Sequence, residues 1–207
     1  EKDWVKRPVL HLDLNIGKYD TPDSLDKILN ETLDYWESLY GTRSAETTLA
    51  LRFAGVVGRA YEQSGERVAI LIDEYDKPLL QAIGNEELQR EFRNTLKPFY
   101  GVLKTMDGCI KFALLTGVTK FGKVSVFSDL NNLNDISMDE PFISICGITE
   151  KEIHLNFEED LHELAAAQKM TYQEVCNELK ACYDGYHFTE NKDGIYNPFS
   201  LLNTFFK

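Results

Sequence analysis

The strongest constraint on how this chain can fold is an apolar run that ends in two adjacent carboxylates. Residues 68–72 are five consecutive apolar residues, and Asp73 and Glu74 follow them directly. A run without alternation is typical of a central parallel strand that is buried on both faces. Because ligands of open α/β sheets bind beyond the carboxyl ends of the strands, this pair could hold Mg²⁺ through water and orient an attacking water. A buried strand followed by a solvated acidic turn fits the same pattern equally well.

Strand-like and helix-like segments alternate along the rest of the chain. This alternation favours an α/β fold in which helices flank both faces of a parallel sheet. The predicted elements are strands at residues 8–14, 68–72, 109–116 and 142–146, and helices that begin near Thr21, Glu46, Asn85, Thr149, Thr171 and Asn197. The T-x-x-E patterns at residues 149–152 and 171–174 predict capping boxes, and the last three helices predict a helical C-terminal part. We expect the strands at residues 8–14, 68–72 and 109–116 to be parallel neighbours, with Asp73 and Thr116 emerging at the same carboxyl edge.

Charge and composition exclude several classes of function. The chain has 34 acidic and 22 basic residues, a formal net charge of −12, so its averaged field repels phosphate backbones. We therefore expect no direct binding of nucleic acid. No apolar run reaches transmembrane length, and the four cysteines include no C-x-x-C pair. These features predict a cytoplasmic protein that does not contact a membrane.

Residues 117–123 read GVTKFGK and resemble a phosphate-binding loop in sequence. They match the pattern G-x-x-x-x-G-K and follow a predicted strand. Val124 stands where the Mg²⁺-binding serine or threonine belongs, and two β-branched residues, Val124 and Val126, lie where the phosphate-binding helix would begin. The order is also wrong, because a Walker A strand precedes its acidic Walker B strand in the chain. We predict a loop beside the site and not a true phosphate-binding loop.

Several separate motifs carry a resemblance to a known family. They are LIDEYDKPL, LTGVTKFGKVSVFSDLNNLNDIS, CGITEKEI, YDGYHF and YNPFSLLN, in this order along the chain. Together they resemble the AAA-ATPase-like family of prokaryotic P-loop proteins, from residue 8 almost to the end. The resemblance implies a P-loop NTPase-like sheet flanked by helices. Members often carry a PD-(D/E)XK nuclease-like domain after the ATPase part, which makes such a domain an expected protein partner.

The resemblance also implies roles for individual residues. Asp73 is the Walker B acid that coordinates Mg²⁺, Glu74 is the catalytic base, and Thr116 is the polar strand tip that senses the γ-phosphate. Lys120 belongs to the loop that follows this sensor.

Asn131 and Asn132 lie in the family motif NNLND and are candidates for lining the nucleotide pocket or a partner surface. Ordinary turn chemistry explains the same two residues, so both interpretations stay open.

The family's Walker A loop lies upstream of the strand that begins at residue 8, and this chain does not contain it. We therefore predict a core at residues 1–148 that lacks the first strand and the Walker A loop, with a helical extension of the same domain at residues 149–207. Since the chain starts close to a strand and ends in an apolar helix, we expect more protein beyond both ends.

Three classes of function remain for this chain. The first is part of an ATPase that binds ATP and Mg²⁺ only in the intact protein and is inactive alone, because Mg²⁺ is rarely held by one or two carboxylates without a nucleotide. The second is a non-catalytic interaction or regulatory module that keeps the P-loop NTPase fold. The third, a nuclease, is disfavoured because the E-x-K at residues 178–180 lies on a predicted helix without an acidic strand partner.

Overall fold

A computed structural model gives the fold of the chain in two compact units, Glu1–Leu133 and Asn134–Lys207. The structure describes residues 5–118, 132–142, 144–183 and 194–206. The fold is mixed α/β. The division into residues 1–148 and 149–207 stays a prediction.

The first unit contains a three-stranded parallel sheet in the order β1-β2-β3. Its strands are β1 (Val9–Asp13), β2 (Val68–Asp73) and β3 (Ile110–Leu115). The expectation that these three segments are parallel neighbours is confirmed. Register pairs Asp13 with Asp73, so the carboxyl ends of β1 and β2 lie side by side.

Four helices connect the strands of this unit. They are α1 (Ser24–Tyr40), α2 (Leu49–Ser64), α3 (Lys77–Gln81) and α4 (Glu86–Thr105). The Asn85 side chain accepts the Leu88 N–H at 3.1 Å and thereby caps the start of α4, where the sequence predicts it. Pro98 lies inside α4 without ending it, and the short α3 was not predicted.

The two faces of the sheet differ in what covers them. Residues paired in register place their side chains on the same face. The covered face carries Leu10, Leu12, Ile70, Ile72, Ala113 and Leu115, which pack with the helices in one core. The open face carries Val9, His11, Ala69, Leu71, Phe112 and Leu114.

The handedness of the connections explains this difference. Both connections, from β1 to β2 and from β2 to β3, advance across the sheet in the same direction. Since parallel strands are joined by right-handed crossovers, all connecting helices fall on one face. The prediction of helices on both faces therefore fails within the described residues.

The second unit is built from short elements. It contains a two-stranded antiparallel sheet of β4 (Ile148–Thr149) and β5 (Ile195–Tyr196). Its helices are α5 (Glu150–Asn156), α6 (Glu158–Gln168), α7 (Tyr172–Tyr183) and α8 (Pro198–Phe205). Leu161 and Leu201 are fully buried in its small core. The predicted capping boxes do begin α5 and α7.

The prediction of a strand at residues 142–146 is wrong. Glu140–Phe142 forms a 3₁₀ turn, and the first strand of the unit begins only at Ile148. The Phe142 N–H donates to the Asp139 carbonyl and the Ile145 N–H to the Phe142 carbonyl. These local bonds occupy the donors that a strand would use in a ladder. Residue 143 lies outside the described part of the chain.

Candidate functional site

Two predicted site residues meet at the carboxyl edge of the parallel sheet. Asp73 is the last residue of β2, and Thr116 follows β3 directly. The Thr116 hydroxyl donates a hydrogen bond to the Asp73 carboxylate oxygen Oδ1. The expectation that these side chains emerge at the same edge is confirmed, and Asp73 itself is exposed.

Glu74 begins the turn that follows β2 in an unusual backbone conformation. Its φ is 54°, in the left-handed region that residues other than glycine rarely adopt. The Glu74 N–H donates to Asp73 Oδ1 at 3.1 Å, and its carbonyl accepts the Lys77 N–H at 3.0 Å. Such a conformation costs about 1–3 kcal/mol and persists only where its surroundings enforce it. This turn places Glu74, which is partly buried, next to Asp73.

Backbone hydrogen bonds tie the turn to the end of β3. The Thr116 N–H donates to the Ile72 carbonyl, and the Tyr75 N–H donates to the Thr116 carbonyl, both at 2.9 Å. The buried Tyr100 hydroxyl donates to the Tyr75 carbonyl at 3.0 Å. Burial raises the pKa of the Tyr100 hydroxyl well above its ordinary value, so this group remains a donor at neutral pH.

Asp76 anchors the loop that leaves Thr116, a role that the sequence analysis missed. Its side chain is only 1% exposed, and its Oδ1 accepts the Val118 N–H at 3.3 Å. Gly117 crosses the turn so closely that an added Cβ would lie 2.6 Å from Asp76 Oδ1 and 2.7 Å from the Tyr75 ring. This position therefore has no space for a side chain, and only glycine fits. A glycine directly after the polar strand tip was the available signal.

Lys77 joins the loop after β1 to the turn after β2. Its ammonium donates to the Asn15 side-chain oxygen and, at 3.3 Å, to the Asn15 carbonyl. The Asn15 N–H in turn donates to Asp13 Oδ1 at 2.7 Å. A lysine is thus held at the same edge of the sheet as Asp73. No local pattern in the sequence predicted a role for Lys77, although it stands three residues after Glu74.

The donor set at this edge fits Mg²⁺ that is shared with a ligand. Carboxylate and hydroxyl oxygens are what Mg²⁺ prefers, and it commonly uses one or two carboxylates together with substrate phosphates and water. Within the described residues, no three His, Cys, Asp or Glu side chains form a complete metal-binding group.

Of the remaining predicted site residues, only Asn132 lies within the described part of the chain. Asn132 is exposed, and its amide donates to the Leu103 carbonyl at 3.5 Å, near the end of α4 that leads into β3. Lys120 and Asn131 lie outside the described residues, as do Lys123 and Val124.

The sequence was also compared with known proteins. The family model described as "Predicted AAA-ATPase" matches residues 1–127. The chain belongs to the AAA-ATPase-like family. No solved structure matches this AAA-ATPase-like chain. In the part that the structure describes, no helix is both long and apolar enough to cross a membrane.

One relative in this comparison is a longer protein. It is described as "Uncharacterized protein in vnfD 5'region" of Azotobacter chroococcum mcd 1 and is 37% identical over 206 residues. The matched region covers 99% of this chain and 38% of that protein. The AAA-ATPase-like chain thus spans less than two fifths of the length of its relative.

Proposed function

We propose that the carboxyl edge of the parallel sheet forms part of a Mg²⁺-dependent ATP-hydrolysing site in a longer protein. The observation that carries this proposal is the hydrogen bond from the Thr116 hydroxyl to the Asp73 carboxylate, with Glu74 held beside it in a strained turn. Membership of the AAA-ATPase-like family supports it. In this proposal Asp73 holds Mg²⁺, Glu74 is the general base and Thr116 responds to the terminal phosphate.

Each side chain has a distinct chemical task in this proposal. Glu74 accepts the proton of the attacking water, a contribution of about 10²- to 10⁴-fold in rate for a well-placed base. Bound Mg²⁺ neutralises the negative charge on the phosphate oxygens. The Thr116 hydroxyl fixes one oxygen of Asp73. Lys77 supplies positive charge at the same edge, within reach of the loop after β1.

The rest of the nucleotide site belongs, in this proposal, to other segments. A Walker A loop upstream of residue 8 supplies the phosphate cradle in the longer protein, and Lys120, Asn131 and Asn132 contact the nucleotide. The 207-residue chain alone then binds ATP weakly or not at all. A nuclease-like domain is the proposed protein partner, and the proposed location is the cytoplasm. The acidic charge disfavours direct binding of nucleic acid.

Two matched substitutions in the longer protein test the catalytic assignment. Glu74→Gln keeps the shape but cannot take a proton, so it should slow ATP hydrolysis roughly 10²- to 10⁴-fold while leaving nucleotide binding intact. Asp73→Asn should in addition weaken Mg²⁺-dependent nucleotide affinity. Glu66→Gln, in the turn that precedes β2, is the control and should leave the rate unchanged. Wild-type hydrolysis by Glu74→Gln would favour the non-catalytic regulatory module instead.

Calorimetry on the 207-residue chain tests the division of the site between segments. We expect no micromolar affinity for ATP with Mg²⁺. Micromolar binding that disappears with Lys123→Ala would mean that residues 117–123 form a true phosphate-binding loop, contrary to the proposal.

A further inference from the structure

Lys77 connects the loop after β1 to the turn that presents Glu74. Its ammonium donates to the side-chain oxygen of Asn15 and, at 3.3 Å, to the Asn15 carbonyl. Its backbone N–H donates to the Glu74 carbonyl at 3.0 Å and closes the turn after β2. The same residue therefore contacts the proposed base through its backbone and the neighbouring loop through its side chain.

The loop after β1 is itself well fixed, so it can support Lys77. The Leu14 N–H donates to the Asp73 carbonyl at 3.1 Å. The hydroxyl of the buried Tyr19 donates to the Leu14 carbonyl at 2.8 Å, and the Tyr19 N–H donates to Gln81 Oε1 at 2.9 Å. Because α3 begins at Lys77 and ends at Gln81, both ends of this helix are bonded to the loop that carries Asn15.

The Lys77 ammonium is held on the side of β2 that faces away from Thr116. β2 lies between β1 and β3, and Asn15 belongs to the loop after β1 while Thr116 follows β3. In the proposed site, a lysine that neutralised the terminal phosphate would lie near Thr116. The geometry therefore favours an indirect role for Lys77 over contact with phosphate.

Glu74 needs support from its neighbours because its backbone is strained. A φ of 54° is unfavourable for a residue with a Cβ and persists only where surrounding contacts enforce it. The direction of the Glu74 side chain depends on this φ, so a relaxed turn would move the carboxylate away from its place beside Asp73. Contacts that hold the turn thus also decide where the carboxylate lies.

We propose that Lys77 and Asn15 form a positioning clamp that holds the proposed general base, Glu74, in its strained turn. Neither residue of the clamp touches the nucleotide or Mg²⁺, and both act through Glu74. The expected effect on the reaction rate rests on the proposed function. The expected effect on the turn rests on the hydrogen bonds alone.

Steady-state kinetics of the longer protein test the effect on the rate. Lys77→Met should lower kcat roughly 10- to 100-fold, the cost of a displaced catalytic group, while KM for ATP changes by less than about twofold. Asn15→Ala keeps the backbone carbonyl as an acceptor and should lower kcat only roughly 3- to 10-fold. Asn15→Asp restores a side-chain oxygen and should recover most of the rate. Lys18→Met removes an 83% exposed ammonium from the same loop and is the matched control, with kcat unchanged.

A double substitution separates positioning from direct contact. In the Glu74→Gln background the base is already absent, so Lys77→Met should lower kcat by less than about twofold further. An equal loss in both backgrounds would mean that Lys77 acts independently of Glu74. A raised KM with unchanged kcat would mean that it binds the phosphates. Either result would overturn the proposal.

Amide hydrogen exchange in the 207-residue chain tests the clamp without ATP. Lys77→Met and Asn15→Ala should each speed exchange of the N–H of residue 77 roughly tenfold, because the turn opens more often. The Ala69 N–H donates to the Pro8 carbonyl at 2.9 Å within the sheet and should keep its protection, which shows that the variants are folded. Lys18→Met should change neither amide.

The two measurements also separate this proposal from the proposed function. Unchanged exchange at residue 77 in both variants would overturn the clamp, whatever the rate of hydrolysis. A longer protein that does not hydrolyse ATP, but whose variants exchange faster at residue 77, would refute the proposed function and leave the clamp on the turn standing.

Discussion

The two units of the chain hold their helices in different ways. In the first unit, the three long helices have 16–20 residues and pack their apolar stripes into one core with the sheet. In the second unit the helices have 7–12 residues and share a much smaller core. Short helices bury little apolar surface and are marginal on their own. The second unit therefore relies more on local hydrogen bonds at helix ends.

The helix caps show the same contrast. Thr149 and Thr171 begin α5 and α7 with capping boxes. In each box the threonine hydroxyl accepts the backbone N–H of the glutamate three residues later, and the carboxylate of that glutamate, Glu152 or Glu174, accepts the threonine N–H. In the first unit, the Thr48 and Asn85 side chains cap α2 and α4 from one side only, and the Asp23 side chain makes no capping hydrogen bond at α1. Long-range packing makes a cap less necessary.

Removal of a core ring should affect the first unit most. Phe53 is fully buried and stacks on Phe99 with ring centroids 4.6 Å apart. Phe53→Ala should lower the free energy of opening of β2 by about 3–5 kcal/mol, measured by amide hydrogen exchange. The matched change in the second unit, Leu161→Ala, should cost about 2–3 kcal/mol at α6 amides. An equal or larger loss at Leu161 would contradict the contrast between the two cores.

Gly117→Ala should damage the first unit at the site edge. An added methyl group meets Asp76 and the Tyr75 ring, and forced overpacking of this kind costs about 1–3 kcal/mol. Gly101→Ala is the control because nothing lies within 4 Å of a Cβ there, inside α4. It should stabilise the unit by about 0.5–1 kcal/mol. Chemical denaturation measures both, and equal effects would mean that the loop after Thr116 moves aside freely.

Removal of a cap should affect the second unit more than the first. Thr171→Ala removes one side of a capping box and should destabilise α7 by about 1–2 kcal/mol, while Thr171→Ser should retain most of the stability. Thr48→Ala removes a one-sided cap from α2, where the core also holds the helix, and should cost about 0.5 kcal/mol. Hydrogen exchange at the first turn of each helix measures the two losses. A larger loss at α2 would reverse the comparison.

The capping boxes also predict a small dependence of stability on pH. Hydrogen bonds from the Thr171 backbone N–H and then its hydroxyl lower the pKa of Glu174, and Thr149 does the same for Glu152. A carboxyl with a lowered pKa stabilises the folded state above its ordinary value of 4.5, and this contribution is lost as the pH falls through the folded pKa. Exchange protection at the start of α7 should therefore weaken below about pH 4.5. Glu174→Gln should remove most of that dependence.

Local signals in the sequence predicted the part of the fold that positions the site. Apolar runs that end in polar residues identified all three parallel strands and the meeting of Asp73 with Thr116. The open face could not be predicted in this way, because a continuous apolar run is expected to be covered on both sides. Whether a layer covers it depends on chain topology and not on the run itself.

Other features depend on contacts between distant segments and have no local signal. Hydrogen bonds to Asp73 and Lys77 enforce the left-handed φ of Glu74. A glutamate in the sequence does not predict this conformation. The role of Asp76 appears only when the loop after β3 crosses the turn after β2. The strand predicted at residues 142–146 failed because turn bonds between near neighbours competed successfully with a ladder.

The hydrogen bond from Thr116 to Asp73 limits what else the Thr116 hydroxyl can bind. A hydroxyl group has a single proton to give, and in this structure Thr116 gives it to Asp73. A ligand that takes this proton does so by rotation of the hydroxyl about its Cβ–Oγ bond, which leaves Asp73 Oδ1, within the described part of the chain, with only the hydrogen bond from the Glu74 N–H. Recognition of such a ligand by Thr116 and the loss of one hydrogen bond to the Asp73 carboxylate are therefore the same rotation of one hydroxyl group.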